Sequence, residues 1–279
     1  MKSKPLPLIL EVDQLHDLLP AANLLPVAVC QASVFAAQHI TGSALVQPAE
    51  LVSGIRPAVG KLPTVAQLSA LFSRIGLTPE THVIAYDDEG GGWAGRLIWT
   101  LDVIGHKRYS YLNGGLIAWF AAGYPMQSGS DPVPPTQYTA TIDQSQLVSL
   151  AQVEQQLSNP DAIVWDARGS DEFAGTKLTA IRNGHIPNAV NLDWLELMDR
   201  HNDLRLLPLP VIAARLDALG ITAGKQIITH CHTHHRSGLT YLVGKALGMD
   251  IKAYDGSWAE WGNHPDTPVV TASASSAGT

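Results

Sequence analysis

The chain has 279 residues, 46% of them apolar, and 18 Lys and Arg against 25 Asp and Glu give it a formal net charge of −7. That length suits two ordinary domains with real cores, and the acidic balance argues against nucleic acid or an anionic membrane as the main partner. Two cysteines, Cys30 and Cys231, cannot build a disulfide framework, so a reducing compartment is the simpler expectation.

In chain order, Met1–Leu10 carries two lysines and a short apolar run, but Pro5 and Pro7 break it and Glu11 and Asp13 follow. That is a poor secretory signal. No stretch approaches the ~18 uninterrupted apolar residues of a membrane span, and a cytoplasmic protein is expected. Cys30 closes the apolar run from Pro26 and reads as a buried thiol. Val83–Tyr86 reads as a strand that leads through Asp87 into Glu89-Gly90-Gly91-Gly92-Trp93, with a helix from Ala94. Asn113-Gly114-Gly115-Leu116 and Gly123-Tyr124-Pro125 follow. Residues 126–145 are proline-rich and read as an extended linker.

Ile163–Asp166 reads as a buried strand ending in the charged turn Asp166-Ala167-Arg168, a carboxylate and guanidinium suited to bracing each other. Phe173, Gly184-His185-Ile186-Pro187 and Asn191-Leu192-Asp193-Trp194 come next. Gln226–His230 is a further strand, and it runs into Cys231-His232-Thr233-His234-His235-Arg236. From about Ser237, apolar residues at 239, 242, 243, 246 and 247 mark one face of a helix that Gly248 is placed to end. Ile251–Tyr254 is a last strand, before Gly256-Ser257-Trp258-Ala259-Glu260-Trp261, whose tryptophans read as core. Residues 271–279 are small and polar, a flexible tail.

These landmarks recur. Asp87 and Cys231 are 144 positions apart, and Gly114 and Gly256 are 142 apart. Phe35 and His39-Ile40 stand for Phe173 and His185-Ile186 in the first half. A near-constant offset points to duplication. Strands alternating with helices give two α/β domains, each a mainly parallel sheet flanked by helices, placed at 1–125 and 146–270. The duplication supplies an intramolecular interface, so a monomer is expected.

Cys231 ends a strand and precedes a helix, where sites of parallel sheets collect. Backbone N–H groups and the helix N-terminus converge there. Arg236 is permanently cationic, and His232, His234 and His235 can donate hydrogen bonds. All of this favours a thiolate. A zinc site is the weaker reading of the histidines, because a four-ligand structural set is missing. No metal and no organic cofactor is required.

Asp166-Ala167-Arg168 with Phe173 and Gly184-His185-Ile186-Pro187, together with Gly256-Ser257-Trp258-Ala259-Glu260-Trp261, resembles the signatures of the tandem-domain rhodaneses, and the resemblance runs from about Ile9 to Val269. The loop departs from the commonest form, in which an arginine follows the cysteine and a glycine sits mid-loop. It resembles a bacterial subtype reading Cys-Gln-Thr-His-His-Arg, with His232 in the glutamine place. The resemblance implies two rhodanese-like domains and a thiosulfate:cyanide sulfurtransferase. Cys231 would carry a persulfide, and residues His232, Thr233, His234, His235 and Arg236 would cradle it. Trp194 would line the pocket. Asp87, in the cysteine's place, would leave the first half catalytically silent. Thiosulfate, cyanide, thiols and a sulfur-accepting protein are the implied partners. Arg182 is open between a substrate contact and a solvated charge.

Three rivals remain in view. Mercaptopyruvate sulfurtransferases tend to hold an arginine where Glu172 stands, and Glu172 should repel a substrate carboxylate. Cysteine phosphatases of the related fold have a loop one residue longer. A persulfide carrier acting on a protein partner rests on the histidine cluster alone.

Overall fold

The computed structural model describes residues 6–21, 23–129 and 133–271. Two units divide it. One takes the chain up to Leu51, Pro63–Asp143 and Met198–Leu206; the other takes Val52–Leu62, Gln144–Leu197 and the chain from Leu207 on. Each unit thus includes a short segment, 198–206 or 52–62, that no compositional feature of the sequence marks.

The first unit is built from β1 (Ile9–Leu10), α1 (Val12–Leu18), β2 (Leu24–Val29), α2 (Ala32–Ala37), β3 (His39–Ile40), β4 (Ala44–Val46), α3 (Val65–Arg74), β5 (His82–Tyr86), α4 (Gly92–Val103), β6 (Tyr109–Leu112), α5 (Gly115–Ala121) and β7 (Met126–Gln127). Its parallel sheet has the order β1-β6-β5-β2-β4. Every residue of the central β5 is buried, as a strand covered on both faces requires. α3 starts at Thr64, whose hydroxyl accepts from the Gln67 N–H while the Gln67 amide returns the bond.

The proline-rich interval 126–145 opens with β7, which pairs antiparallel with β3. Further on, the N–H groups of Thr136 and Tyr138 bond to the carbonyl and hydroxyl of Ser73, and that of Ala140 to the Ser69 hydroxyl. These bonds dock the interval on α3. Its residues 130–132, and 272–279 of the expected tail, lie outside the described residues.

The second half continues with α6 (Leu150–Gln156), β8 (Ala162–Asp166), α7 (Ser170–Ala174) and β9 (Val190–Asn191). A hairpin of β10 (Met198–Asp199) and β11 (Arg205–Leu206) belongs to the first unit. Then come α8 (Leu209–Ala218), β12 (Gln226–His230), α9 (Arg236–Ala246), β13 (Asp250–Ala253) and α10 (Ser257–Trp261). The second sheet has the order β13-β12-β8-β9, all parallel, and Leu147 bridges Ala253 on its outer edge. Adding that bridge reproduces the order of the first sheet strand for strand.

The duplication extends to side chains. Phe35 stacks on His39 with ring centroids 3.8 Å apart, and Phe173 stacks on His185 at 3.7 Å. In both pairs the imidazole Nδ1 meets the phenylalanine carbonyl at 2.8 Å. α9 ends as its glycine foretells: Gly248 is left-handed (φ 72°), its N–H bonds to Lys245 O, and the Met249 N–H bonds to Gly244 O. Trp165, Trp258 and Trp261 are fully buried. In the cluster of Trp258 and Trp261, Ile228 contributes roughly 2–3 kcal/mol by burial. Among the described residues no helix is long and apolar enough to cross a membrane.

Candidate active site

β12 delivers Cys231 to the carboxyl end of the second sheet, between β8 and β13. The sharp turn from strand to helix is made at His234, which is left-handed (φ 54°), a region costly for any side chain other than glycine. Its imidazole Nδ1 lies 2.7 Å from the Ser237 hydroxyl, a contact that helps hold the turn. The first turn of α10 takes up the loop's outward carbonyls: Trp258 N–H donates to Cys231 O at 3.0 Å and Ala259 N–H to His232 O at 2.9 Å. A second wall comes from the 52–62 segment. A Cβ on Gly60 would stand 2.3 Å from Thr233 O, so backbone lies directly against the loop there.

Cys231 is 1% exposed. Burial alone would push its thiol up, yet the thiol is held below its ordinary value by the Arg236 charge, by hydrogen bonds from the Ser237 hydroxyl and backbone, and by His235. Cys30 is the opposite case. Burial and then the charges of Asp88 and Asp87 push it up to about 12, and a single backbone hydrogen bond from Phe35 opposes them without offsetting them. The surroundings thus favour the thiolate at Cys231 and the thiol at Cys30.

Arg236 opens α9 and meets Glu172 of α7 at two points, Nη1 to Oε2 at 2.5 Å and Nη2 to Oε1 at 3.0 Å. Burial would raise the Glu172 carboxyl, but Arg236 keeps it below its ordinary value. The loop's main cation is thereby fixed in place. Beneath the loop Arg168 and Asp166 form a fully buried pair at 2.6 Å, and the Arg168 guanidinium lies 4.3 Å above the Trp258 ring. His230 Nε2 is 3.6 Å from Asp166, and burial lowers its basicity although Asp166 opposes this. These three brace the floor.

The histidines diverge. His230 points at Asp166, His234 at Ser237, and the His235 ring lies 5.6 Å from that of Trp194. Among the described residues no group of three or more His, Cys, Asp or Glu is placed to hold a metal ion. Trp194 lies beside the loop, against His235. Arg182 does not join them. Its guanidinium donates to the carbonyls of Trp261, His264 and Thr267, so it ties down the turn after α10 and is neither a free charge nor aimed at the loop. Sequence reasoning gives Glu172 a part in donor choice but not its pairing with Arg236, and it does not find Ser237 or Gly60. Only Ser237, at the head of the predicted helix, carried a local signal.

The first unit shows what such a loop holds. Asp87 ends β5 as Cys231 ends β12, and α4 starts at Gly92 as α9 starts at Arg236. The Asp87 carboxylate accepts from the N–H groups of Glu89, Gly90 and Gly91 at 3.2, 3.1 and 2.8 Å and from Ala94 at 3.0 Å. The strand-loop-helix turn is an anion cradle, filled in this unit by its own side chain.

A family model described as Rhodanese-like domain matches residues 11–122 and again 149–264. The thiosulfate sulfurtransferase of Azotobacter vinelandii is 48% identical over 266 residues, covering 95% of this chain and 97% of that protein. That of Pseudomonas aeruginosa is 47% identical over 265 residues with the same coverage. The crystal structure of YnjE shares the fold, with a TM-score of 0.84 at 24% identity over 95% of this chain and 68% of that one.

Proposed function

The chain belongs to the rhodanese family, with two rhodanese-like domains, and from that premise we propose that it is a thiosulfate sulfurtransferase carrying sulfane sulfur as a persulfide on Cys231. The observation that carries this reading is a buried thiol at the strand-to-helix turn, held below its ordinary value by the Arg236 charge and by the hydroxyl and N–H of Ser237. The reaction is ping-pong. The Cys231 thiolate attacks the outer sulfur of thiosulfate, the S–S bond of thiosulfate breaks, and its electron pair leaves with sulfite. Cyanide or a thiol then attacks the outer sulfur of the persulfide, and Cys231 returns as thiolate.

The cradle stabilises each anionic sulfur without rearranging, because its donors are already fixed. His232, Thr233, His234 and His235 contribute through backbone N–H groups and Arg236 through its charge; Trp194 walls the mouth. Asp87 occupies the matching cradle of the first unit, which is silent. A sulfur-accepting protein is a further acceptor class, a monomer in the cytoplasm is the expected setting, and no metal or organic cofactor takes part. Replacing Cys231→Ala should abolish thiosulfate:cyanide turnover and the mass gain of one sulfur after thiosulfate treatment. Turnover that survives the substitution would overturn the assignment.

A further inference from the structure

Cys231 leaves β12 where that strand parts from β13. Thr229 is level with Ala253 across the pair, and the Tyr254 N–H donates to Thr229 O at 3.0 Å. In a parallel ladder of this register the next rung would carry the Cys231 N–H to Tyr254 O. The Ser257 hydroxyl stands between those two groups instead. It donates to Tyr254 O at 2.9 Å and accepts from the Cys231 N–H at 3.4 Å. The next residue, Trp258, donates its N–H to Cys231 O at 3.0 Å. Both polar groups of the Cys231 backbone are therefore held by Ser257 and Trp258.

Ser257 is fully buried and left-handed (φ 52°), a conformation that costs a residue with a Cβ. The repeat shows that the turn itself needs no side chain there. Gly115 holds the matching place in the first unit at φ 53°, and the Leu116 N–H donates to Asp87 O at 2.9 Å, as Trp258 does to Cys231 O. Asp87 is anchored by its own carboxylate, which accepts from the N–H groups of Glu89, Gly90, Gly91 and Ala94. A reacting thiol has to stay free and cannot anchor its own backbone in that way. The unit with the thiol thus carries a strained serine where the unit with the carboxylate carries a glycine.

We propose that Ser257 is a positioning residue for sulfur transfer: its hydroxyl replaces the missing ladder rung, fixes the Cys231 peptide and so sets the direction in which the cysteine side chain leaves the strand. This role rests on the persulfide reading of Cys231. Ser257 acts through the backbone alone, whereas the charges and donors that favour the thiolate belong to Arg236, Ser237 and His235.

The test compares Ser257→Ala with Ser257→Gly in the full chain, because both lack the hydroxyl and only glycine is unstrained at this φ. Ser257→Gly should melt about 2–4 °C above Ser257→Ala. Single-turnover uptake of one sulfur from thiosulfate, followed by mass, should nonetheless slow about tenfold in both variants at saturating thiosulfate, with the half-saturating concentration within about twofold of the parent's. The Cys231 thiolate absorbance should titrate at the parent's pH in both, since Arg236, Ser237 and His235 are untouched. Uptake that tracks melting, with Ser257→Gly as fast as the parent, would make Ser257 a merely structural residue and overturn the proposal. A thiolate titration shifted far enough to account for the slower uptake would overturn it too. If Ser257→Ala fails to fold, the uptake rate of Ser257→Gly against the parent decides alone. A parent chain that takes up no sulfur overturns the persulfide reading and this role with it.

Discussion

Arg236 and Glu172 form a two-point ion pair at 2.5 and 3.0 Å beside the buried Cys231. The Glu172 side chain is 6% exposed and that of Arg236 20%, so water screens the pair only weakly. The sequence suggests that Glu172 repels a carboxylate-bearing donor. In the fold both of its oxygens are spent on Arg236, so its effect on donor choice runs through the arginine. The pair fixes the guanidinium and offsets part of its charge. Thiosulfate should therefore be preferred over 3-mercaptopyruvate, and Glu172→Gln should narrow that preference by freeing Arg236 N–H groups for a carboxylate. The same change should lower the Cys231 pKa further, because the negative charge offsetting Arg236 is gone. Stability should fall by about 1–3 kcal/mol from the loss of a largely buried charged partner. Donor kinetics and thiolate absorbance check the first two outcomes, and denaturant melts the third. An unchanged donor ratio would remove Glu172 from donor choice.

Ser237 acts on the thiolate through both its hydroxyl and its backbone N–H. Only the hydroxyl is lost in Ser237→Ala, and with it one hydrogen bond to the charged form. The Cys231 pKa should rise. The rate of loading from thiosulfate should then drop about three- to tenfold near neutral pH and recover as pH climbs past the new pKa. A pH profile of kcat/KM for thiosulfate reads this directly. A drop that does not recover at high pH would point to damage of the loop, since His234 also leans on Ser237.

Asp87 makes the first cradle testable by stability rather than activity. Burial is the largest influence on its carboxyl and, with Glu89, pushes it up to about 6 from an ordinary 3.8, although backbone donors including Ala94, Gly91 and Glu89 pull the other way. Between those two values the folded chain holds a proton that the unfolded chain has lost. Stability from this group is therefore greatest below about pH 4 and falls as pH rises toward 6, by up to ~3 kcal/mol. Asp87→Asn should flatten that part of the pH–stability curve while thiosulfate:cyanide turnover stays close to that of the parent chain. A large loss of turnover would mean that the first unit is not silent.

Much of this site is legible in the sequence because its parts are local. β12 and α9 announce themselves by a short β-branched run, Ile227-Ile228-Thr229, and a helical period, and the loop between them carries its chemistry in its residue types. The repeat supplies Asp87 as the counterpart of Cys231. What stays hidden is long-range. Glu172 and Arg236 are 64 positions apart, and no periodicity links them. Arg182 shows the same limit. Its charge suggests a ligand, whereas its partners are carbonyls 79 to 85 residues further on. The 52–62 segment belongs to the second unit with nothing in its composition to say so.

That segment gives the sharpest steric test. A methyl group at position 60 would lie 2.3 Å from Thr233 O, 2.6 Å from its carbonyl carbon and 2.7 Å from its Cα. All three are backbone atoms of the Cys231 loop, so no side chain can swing aside and the loop itself must move. Gly60→Ala should cost about 1–3 kcal/mol of stability, as overpacking does. Because a displacement of about 1 Å at a positioned site can cost on the order of 100-fold in rate, kcat/KM for thiosulfate should fall by at least about tenfold. Gly224→Ala is the matched control, since nothing lies within 4 Å of its Cβ position. It should change neither melting nor turnover. If Gly60→Ala turns over thiosulfate as well as Gly224→Ala does, the loop does not depend on this wall for its shape.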